Sequence, residues 1–260
     1  MRNPGIIRFL LLSVGMLLLT GGQTTRLSAA DKGYFDPSFC SDCTHTKAYA
    51  AADVYGTNPT LGIVLLLRDC RDLDADKGWQ REWLDYLNLN GFVVIAIDSF
   101  ADVRPPPVEC SGDPWPNESP AKSVVYPVRA RQAEYAVKMI RKKYPEKKVF
   151  VWGHGEGGVT AQIMNVKIDG IISTGTPCPD EWLVGIAQTP LIIIQGTNDG
   201  TLQETKKNPL YGSLEGRCKM LMTQPKWEWL TVEGMGHAVE LSGKDIKRRI
   251  AKFLGIPHSR

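Results

Sequence analysis

Acidic residues are absent from the first thirty positions of this 260-residue chain, and beyond them neither sign of charge is in excess. Arg2, Arg8 and Arg26 supply the formal net charge of +3; without them the 31 Lys and Arg fall to 28, equal to the 28 Asp and Glu. A neutral mature chain gives no electrostatic reason to expect nucleic acid or an anionic membrane surface as partner. No internal repeat and no low-complexity linker interrupts the sequence, which excludes a repeat array and leaves one large domain as the economical reading.

What is present supports that reading. Apolar residues make up 43% of the chain, enough to bury a sizeable core and to exclude both disorder and a cysteine-stapled miniature scaffold. Arg2 and Arg8 flank a short basic region, Phe9 to Leu19 is nearly all apolar, and Ser28-Ala29-Ala30 places small residues where a signal peptidase reads. The expectation is a signal peptide over 1–30 cleaved after Ala30, leaving 31–260 as the exported, periplasmic or secreted domain. The apolar run is short for a bilayer span, so the rival reading of an uncleaved anchor is the weaker one. No stable membrane anchor is expected after cleavage.

Export places the six cysteines, Cys40, Cys43, Cys70, Cys110, Cys178 and Cys218, in an oxidising compartment, where an even number favours disulfides without choosing their pairing. Cys40 and Cys43 lack the second ligand pair a zinc site needs, and Thr44 stands where haem attachment requires histidine. No metal and no cofactor is expected from these spacings. His45 and His258 read as surface residues.

After residue 45, short apolar runs alternate with helical periodicity. Gly62–Leu67, Gly91–Ile97, Lys148–Trp152, Gly170–Ser173 and Pro190–Gln195 are continuous rather than alternating, as strands covered on both faces are. Trp79, Trp83, Leu84 and Leu87 form a helical stripe stopped by Asn90-Gly91. Ala133, Ala136, Val137, Ile140 and Tyr144 form a second, with Pro127 near its first turn and Pro145 beyond its end. A third runs from about Lys244 to Leu254. Lys226–Val232 alternates and reads as a strand nearer the sheet edge. The proline-rich stretch from Ser99 to Pro127 reads as a long surface loop or lid, and Trp115 and Trp182 as residues that shape a pocket or simply pack. The pattern is α/β: a mostly parallel central sheet with helices on both faces.

Chemistry concentrates in Val149-Phe-Val-Trp-Gly153-His154-Gly155-Glu156-Gly157-Gly158, a strand running into glycines and then a helix from near Val159. This is the frame of a nucleophile elbow, G-x-Nu-x-G, with Gly155 at the nucleophile position. A strand-to-helix turn of this kind can also cradle phosphate, but here it lacks the lysine of a P-loop and carries Glu156, which repels anions. Asp199 follows the buried strand ending near Gln195, and His237 lies in the loop after the next strand. Nucleophile position, acid, then base is the α/β-hydrolase order. In those roles Asp199 fixes the imidazole, and His237 takes and returns the proton.

Together with Asp98-Ser99-Phe100, Arg104 and Cys110, these segments resemble the dienelactone hydrolase family of α/β-hydrolases over roughly residues 47 to 254. The resemblance implies the α/β-hydrolase fold, a small-molecule ester or lactone as substrate or ligand, and oxyanion donors among the backbone N–H groups of Glu156 and of Cys70 or Arg71. Two departures bear on activity. Gly155 stands where members of the family carry Cys or Ser, and Arg68-Asp69-Cys70-Arg71-Asp72 stands where they carry a glycine-rich run. Cys70 as an alternative nucleophile is disfavoured by its place on the oxyanion side. Three readings follow: a degenerate hydrolase that binds a small molecule or partner; an active hydrolase in which Asp199 and His237 activate a water in the space beside Gly155; and an ordinary Ser/Cys hydrolase whose nucleophile has been replaced.

Overall fold

The computed structural model describes residues 25–26, 49, 52–69, 79–99, 120–176, 189–200, 226–238 and 243–257. The elements in chain order are β1 (Thr25–Arg26), β2 (Asp53–Tyr55), β3 (Gly62–Leu67), α1 (Trp79–Leu89), β4 (Phe92–Ala96), α2 (Pro120–Lys143), β5 (Lys148–His154), α3 (Glu156–Ile163), β6 (Gly170–Thr174), β7 (Leu191–Gly196), β8 (Trp227–Val232) and α4 (Lys244–Leu254). They build one eight-stranded sheet in the order β1-β2-β4-β3-β5-β6-β7-β8. The β1–β2 and β2–β4 pairs are antiparallel, and every pair from β4 to β8 is parallel.

Why the strands carry unbroken apolar runs is visible in the two core layers. Along β3, Ile63, Leu65 and Leu67 point into one layer and Val64 and Leu66 into the other, following the two-residue period of a strand. The first layer packs against α2 through Ala130, Ala133, Ala136, Val137 and Ile140; the second against Trp83, Leu84 and Leu87 of α1 and Ile246, Ile250 and Leu254 of α4. Trp83 meets Trp152 edge-on, ring centroids 4.9 Å apart. The expected edge strand is β8: Trp227 and Trp229 pack on the first layer, Leu230 and Val232 on the second, and the strand stays partly exposed.

Two boundaries differ from the sequence reading. Pro127 was expected near the first turn of its helix, yet α2 starts at Pro120 and runs through it. A proline forfeits one backbone hydrogen bond, which does not end a helix whose following turns bury five apolar residues. The expected loop from Ser99 to Pro127 is therefore helical from Pro120 onward. The elbow helix begins at Glu156 rather than near Val159.

β1 lies inside the segment expected to leave as a signal peptide, and pairs Thr25 with Val54 and Arg26 with Asp53. The six cysteines, Arg71, Asp72, Phe100, Arg104, Trp115, Trp182, His45 and His258 lie outside the described residues, and with them the expectations of disulfides and of a lid over 100–119. Among the described residues no helix is long and apolar enough to cross a membrane.

Candidate active site

Parallel sheets put their functional groups where strands end and helices begin, at the C-terminal edge. Asp69 lies two residues past β3, His154 closes β5, Gly155 is the turn into α3, Asp199 follows β7 and His237 follows β8. The fold brings all five to one place.

The elbow frame is built from backbone contacts that only glycine permits. A Cβ on Gly153 would lie 2.1 Å from the carbonyl oxygen of Gly157, and one on Gly157 would lie 2.1 Å from that of Leu67. Gly155 has φ 53° and ψ −119°, a left-handed conformation that strains any other residue. Its N–H donates to the Thr174 carbonyl at 2.9 Å, and its own carbonyl accepts from the Thr176 hydroxyl at 3.0 Å.

The acid and base expected from sequence are joined. His237 Nδ1 lies 3.0 Å from Asp199 Oδ2, and Asp199 is fully buried. Burial works against a charge on His237, but the hydrogen bond to Asp199 and the neighbouring Asp69 carboxylate outweigh it and push the imidazole pKa up to about 10. Carboxylates on both sides therefore hold His237 as an imidazolium at neutral pH.

The residue the sequence reading did not single out is Asp69. Its Oδ1 accepts a 3.0 Å hydrogen bond from the backbone N–H of Glu156, and its Oδ2 lies 3.6 Å from His237 Nε2. Glu156 N–H is one of the expected oxyanion donors, and a fixed carboxylate occupies the position where that expectation puts a developing oxyanion. The N-terminus of α3 favours an anion there. The space beside Gly155, expected to hold a water, holds this carboxylate: a Cβ on Gly155 would lie 2.3 Å from Asp69 Oδ1. Only the unusual acidity of the Arg68–Asp72 loop hinted at it, since chain separation hides the contact. Cys70 and Arg71, the other oxyanion candidates, lie outside the described residues.

Three contacts aim Asp69. The Arg68 guanidinium pairs with Asp53 at 3.0 Å, the Arg68 carbonyl accepts from the Arg129 guanidinium, and Glu156 N–H holds the carboxylate itself. Arg129 also pairs with the Glu156 side chain at 3.1 Å, so the acid expected to repel anions is neutralised. Burial pulls the Arg129 guanidinium below its ordinary pKa, opposed by Glu156 and Asp69. Burial, and then Glu156, pushes the Tyr126 phenol well above its usual range and keeps it a neutral hydroxyl.

His154 is buried, with Nδ1 3.2 Å from the Thr174 hydroxyl and its ring centroid 4.5 Å from that of His237. One ligand atom each from Asp69, His154 and His237 lie within 4.8 Å of one another. The spacings in sequence gave no sign of this cluster, because its members come from three separate strand ends.

No family model and no curated protein matches the sequence. Solved structures do match. The chain is similar to dienelactone hydrolase from Anabaena variabilis at 15% identity and TM-score 0.54, over 78% of this chain and 90% of that one. It is similar to an esterase of Pyrococcus furiosus at 15% identity and TM-score 0.52, over 78% and 86%. A third, an alpha-beta serine hydrolase homologue from Coxiella burnetii, matches at 13% identity and TM-score 0.51, over 80% and 92%. With the glycine turn at the end of β5, Asp199 after β7 and His237 after β8, the chain has the α/β-hydrolase fold.

Proposed function

We propose that this chain is a degenerate dienelactone hydrolase-like protein, which binds a small molecule or a partner in the hydrolase cleft and carries out no acyl transfer. One observation carries the reading: the Asp69 carboxylate sits in the elbow, on the N–H of Glu156 and against Gly155. Acyl transfer needs a nucleophile, a base and an oxyanion donor. Glycine at 155 supplies no nucleophile at the elbow, and the Glu156 donor is engaged by a negative charge. Removing a triad nucleophile alone costs about a million-fold in turnover.

The Asp199–His237 hydrogen bond at 3.0 Å favours a second reading, an ester or lactone hydrolase in which that pair activates water through the neutral form of His237, whose share grows as pH rises toward 10. Hydrolysis of p-nitrophenyl acetate by the purified chain in the presence of a chelator, beside His237→Ala, separates the two. Equal, background rates support the degenerate reading. Turnover that His237→Ala abolishes overturns it.

The chain is further proposed to be exported, with cleavage after Ala30. β1 then leaves with the leader, and the sheet of the mature protein starts at β2. N-terminal sequencing of the protein recovered from its native compartment tests this.

A further inference from the structure

We infer that Asp69, His154 and His237 form a binding site for a divalent transition metal of the zinc class, seated in the elbow beside Gly155. The three ligand atoms already lie within 4.8 Å of one another, and the Asp69 Oδ2 to His237 Nε2 edge is 3.6 Å. A tetrahedral zinc with bonds of about 2.0–2.1 Å needs ligand edges of about 3.3 Å, so one edge is nearly formed and the others, none longer than 4.8 Å, close by at most about 1.5 Å.

Each ligand is also held from behind, and this sets the cluster apart from a chance grouping. Asp69 Oδ1 is fixed by Glu156 N–H at 3.0 Å, leaving Oδ2 turned toward His237. His237 Nδ1 is fixed by Asp199 at 3.0 Å, the carboxylate–histidine arrangement that orients metal-bound imidazoles, and its Nε2, protonated in the metal-free chain, gives that proton to solvent as the ion binds. For His154, the Thr174 hydroxyl sits between Nδ1 at 3.2 Å and the Gly153 carbonyl at 3.4 Å. The site uses the tautomer in which Thr174 gives its proton to that carbonyl and accepts from Nδ1–H, so that His154 presents Nε2 to the ion. His154 is buried while Asp69 and His237 are half-buried, so an ion enters from their side. Two imidazoles and one carboxylate leave a fourth position open for water or an exogenous ligand. Glycine at 155 matters here as well, since a side chain would occupy the place of the Asp69 carboxylate.

This inference deepens the proposed function, because it rests on the same seating of Asp69 and names what the cleft holds. The full chain, stripped with EDTA and with free thiols alkylated to remove cysteine sites, is titrated with ZnCl2 by calorimetry and with CoCl2 by visible absorption. One equivalent should bind, with cobalt showing the strong d–d bands of a four-coordinate site. Asp69→Asn and His154→Gln should each weaken binding at least about 100-fold, and Asp199→Asn about 10- to 100-fold. X-ray absorption at the zinc edge of the unmodified chain should count two imidazoles, a readout that does not depend on any variant folding. No binding, binding that the variants leave unchanged, or a shell without imidazole overturns the site. The two readings fail separately: loss of metal binding leaves the chelated-ester result standing, and His237-dependent turnover in chelator leaves the metal titration standing.

Discussion

The Asp69 carboxylate stands where a side chain at residue 155 would begin: a Cβ built on Gly155 comes within 2.3 Å of Asp69 Oδ1. A side chain at 155 and the Asp69 carboxylate therefore compete for one space. Gly155→Ser by itself brings a hydroxyl into an occupied elbow and leaves Glu156 N–H engaged. It should stay inert toward p-nitrophenyl acetate. Asp69→Gly/Gly155→Ser clears both the space and the donor, and should exceed Gly155→Ser by about 10²- to 10³-fold in kcat, the usual worth of one oxyanion donor. Equal rates for the single and double variants would show that Asp69 does not block the site.

Arg129 is buried with its guanidinium on Glu156 and on the Arg68 carbonyl, so it ties the elbow helix to the loop bearing Asp69. Removing one partner of such a pair leaves the other charge buried and costs about 3–5 kcal/mol. Arg129→Met should lower the urea midpoint accordingly, and Arg129→Met/Glu156→Gln should recover most of the loss. A double variant as unstable as the single would place the role of Arg129 in the Arg68 contact instead.

In the chelated chain His237 should titrate near 10 rather than at its ordinary 6.5, followed through its imidazole proton resonances. Because the folded value is raised, the stability this group contributes is fully present below 6.5 and is lost as pH rises through 10. Asp199→Asn and Asp69→Asn should each move the titration downward, and the midpoint of unfolding should fall less steeply between those pH values in both variants. A His237 that titrates at 6.5 in the unmodified chain refutes the electrostatic account.

Periodicity made the sheet legible, since strands covered on both faces must be apolar throughout, and Gly62–Leu67 and Lys244–Leu254 emerge with the expected bounds. The Asp199–His237 pair was legible because chain order in this fold dictates spatial order. Asp69, His154 and Arg129 were not. His154 occupies a position of the elbow motif where any residue serves, Arg129 lies in the middle of a helix, and Asp69 meets Glu156 across 87 positions of chain. The start of α2 is not legible locally, because the helix-start signal at Pro127 is outweighed by the burial of the turns that follow.

The elbow's glycines should matter for folding independently of any chemistry. A methyl group at 157 would meet the Leu67 carbonyl at 2.1 Å, and main chain in the centre of a parallel sheet cannot step aside as a side chain can. Gly157→Ala should therefore cost at least about 3 kcal/mol, the upper range for overpacking a core. Gly200→Ala, with nothing among the described residues within 4 Å of its new methyl, should stay within about 0.5 kcal/mol of the parent. Urea unfolding of the two variants measures the difference. Comparable stabilities would mean that α3 can lift away from β3, and the close approach that seats Asp69 on Glu156 would then be a loose contact rather than a fixed one. A large gap would show why the turn keeps its glycine frame around an empty nucleophile position: the frame closes the helix onto the sheet whether or not residue 155 reacts.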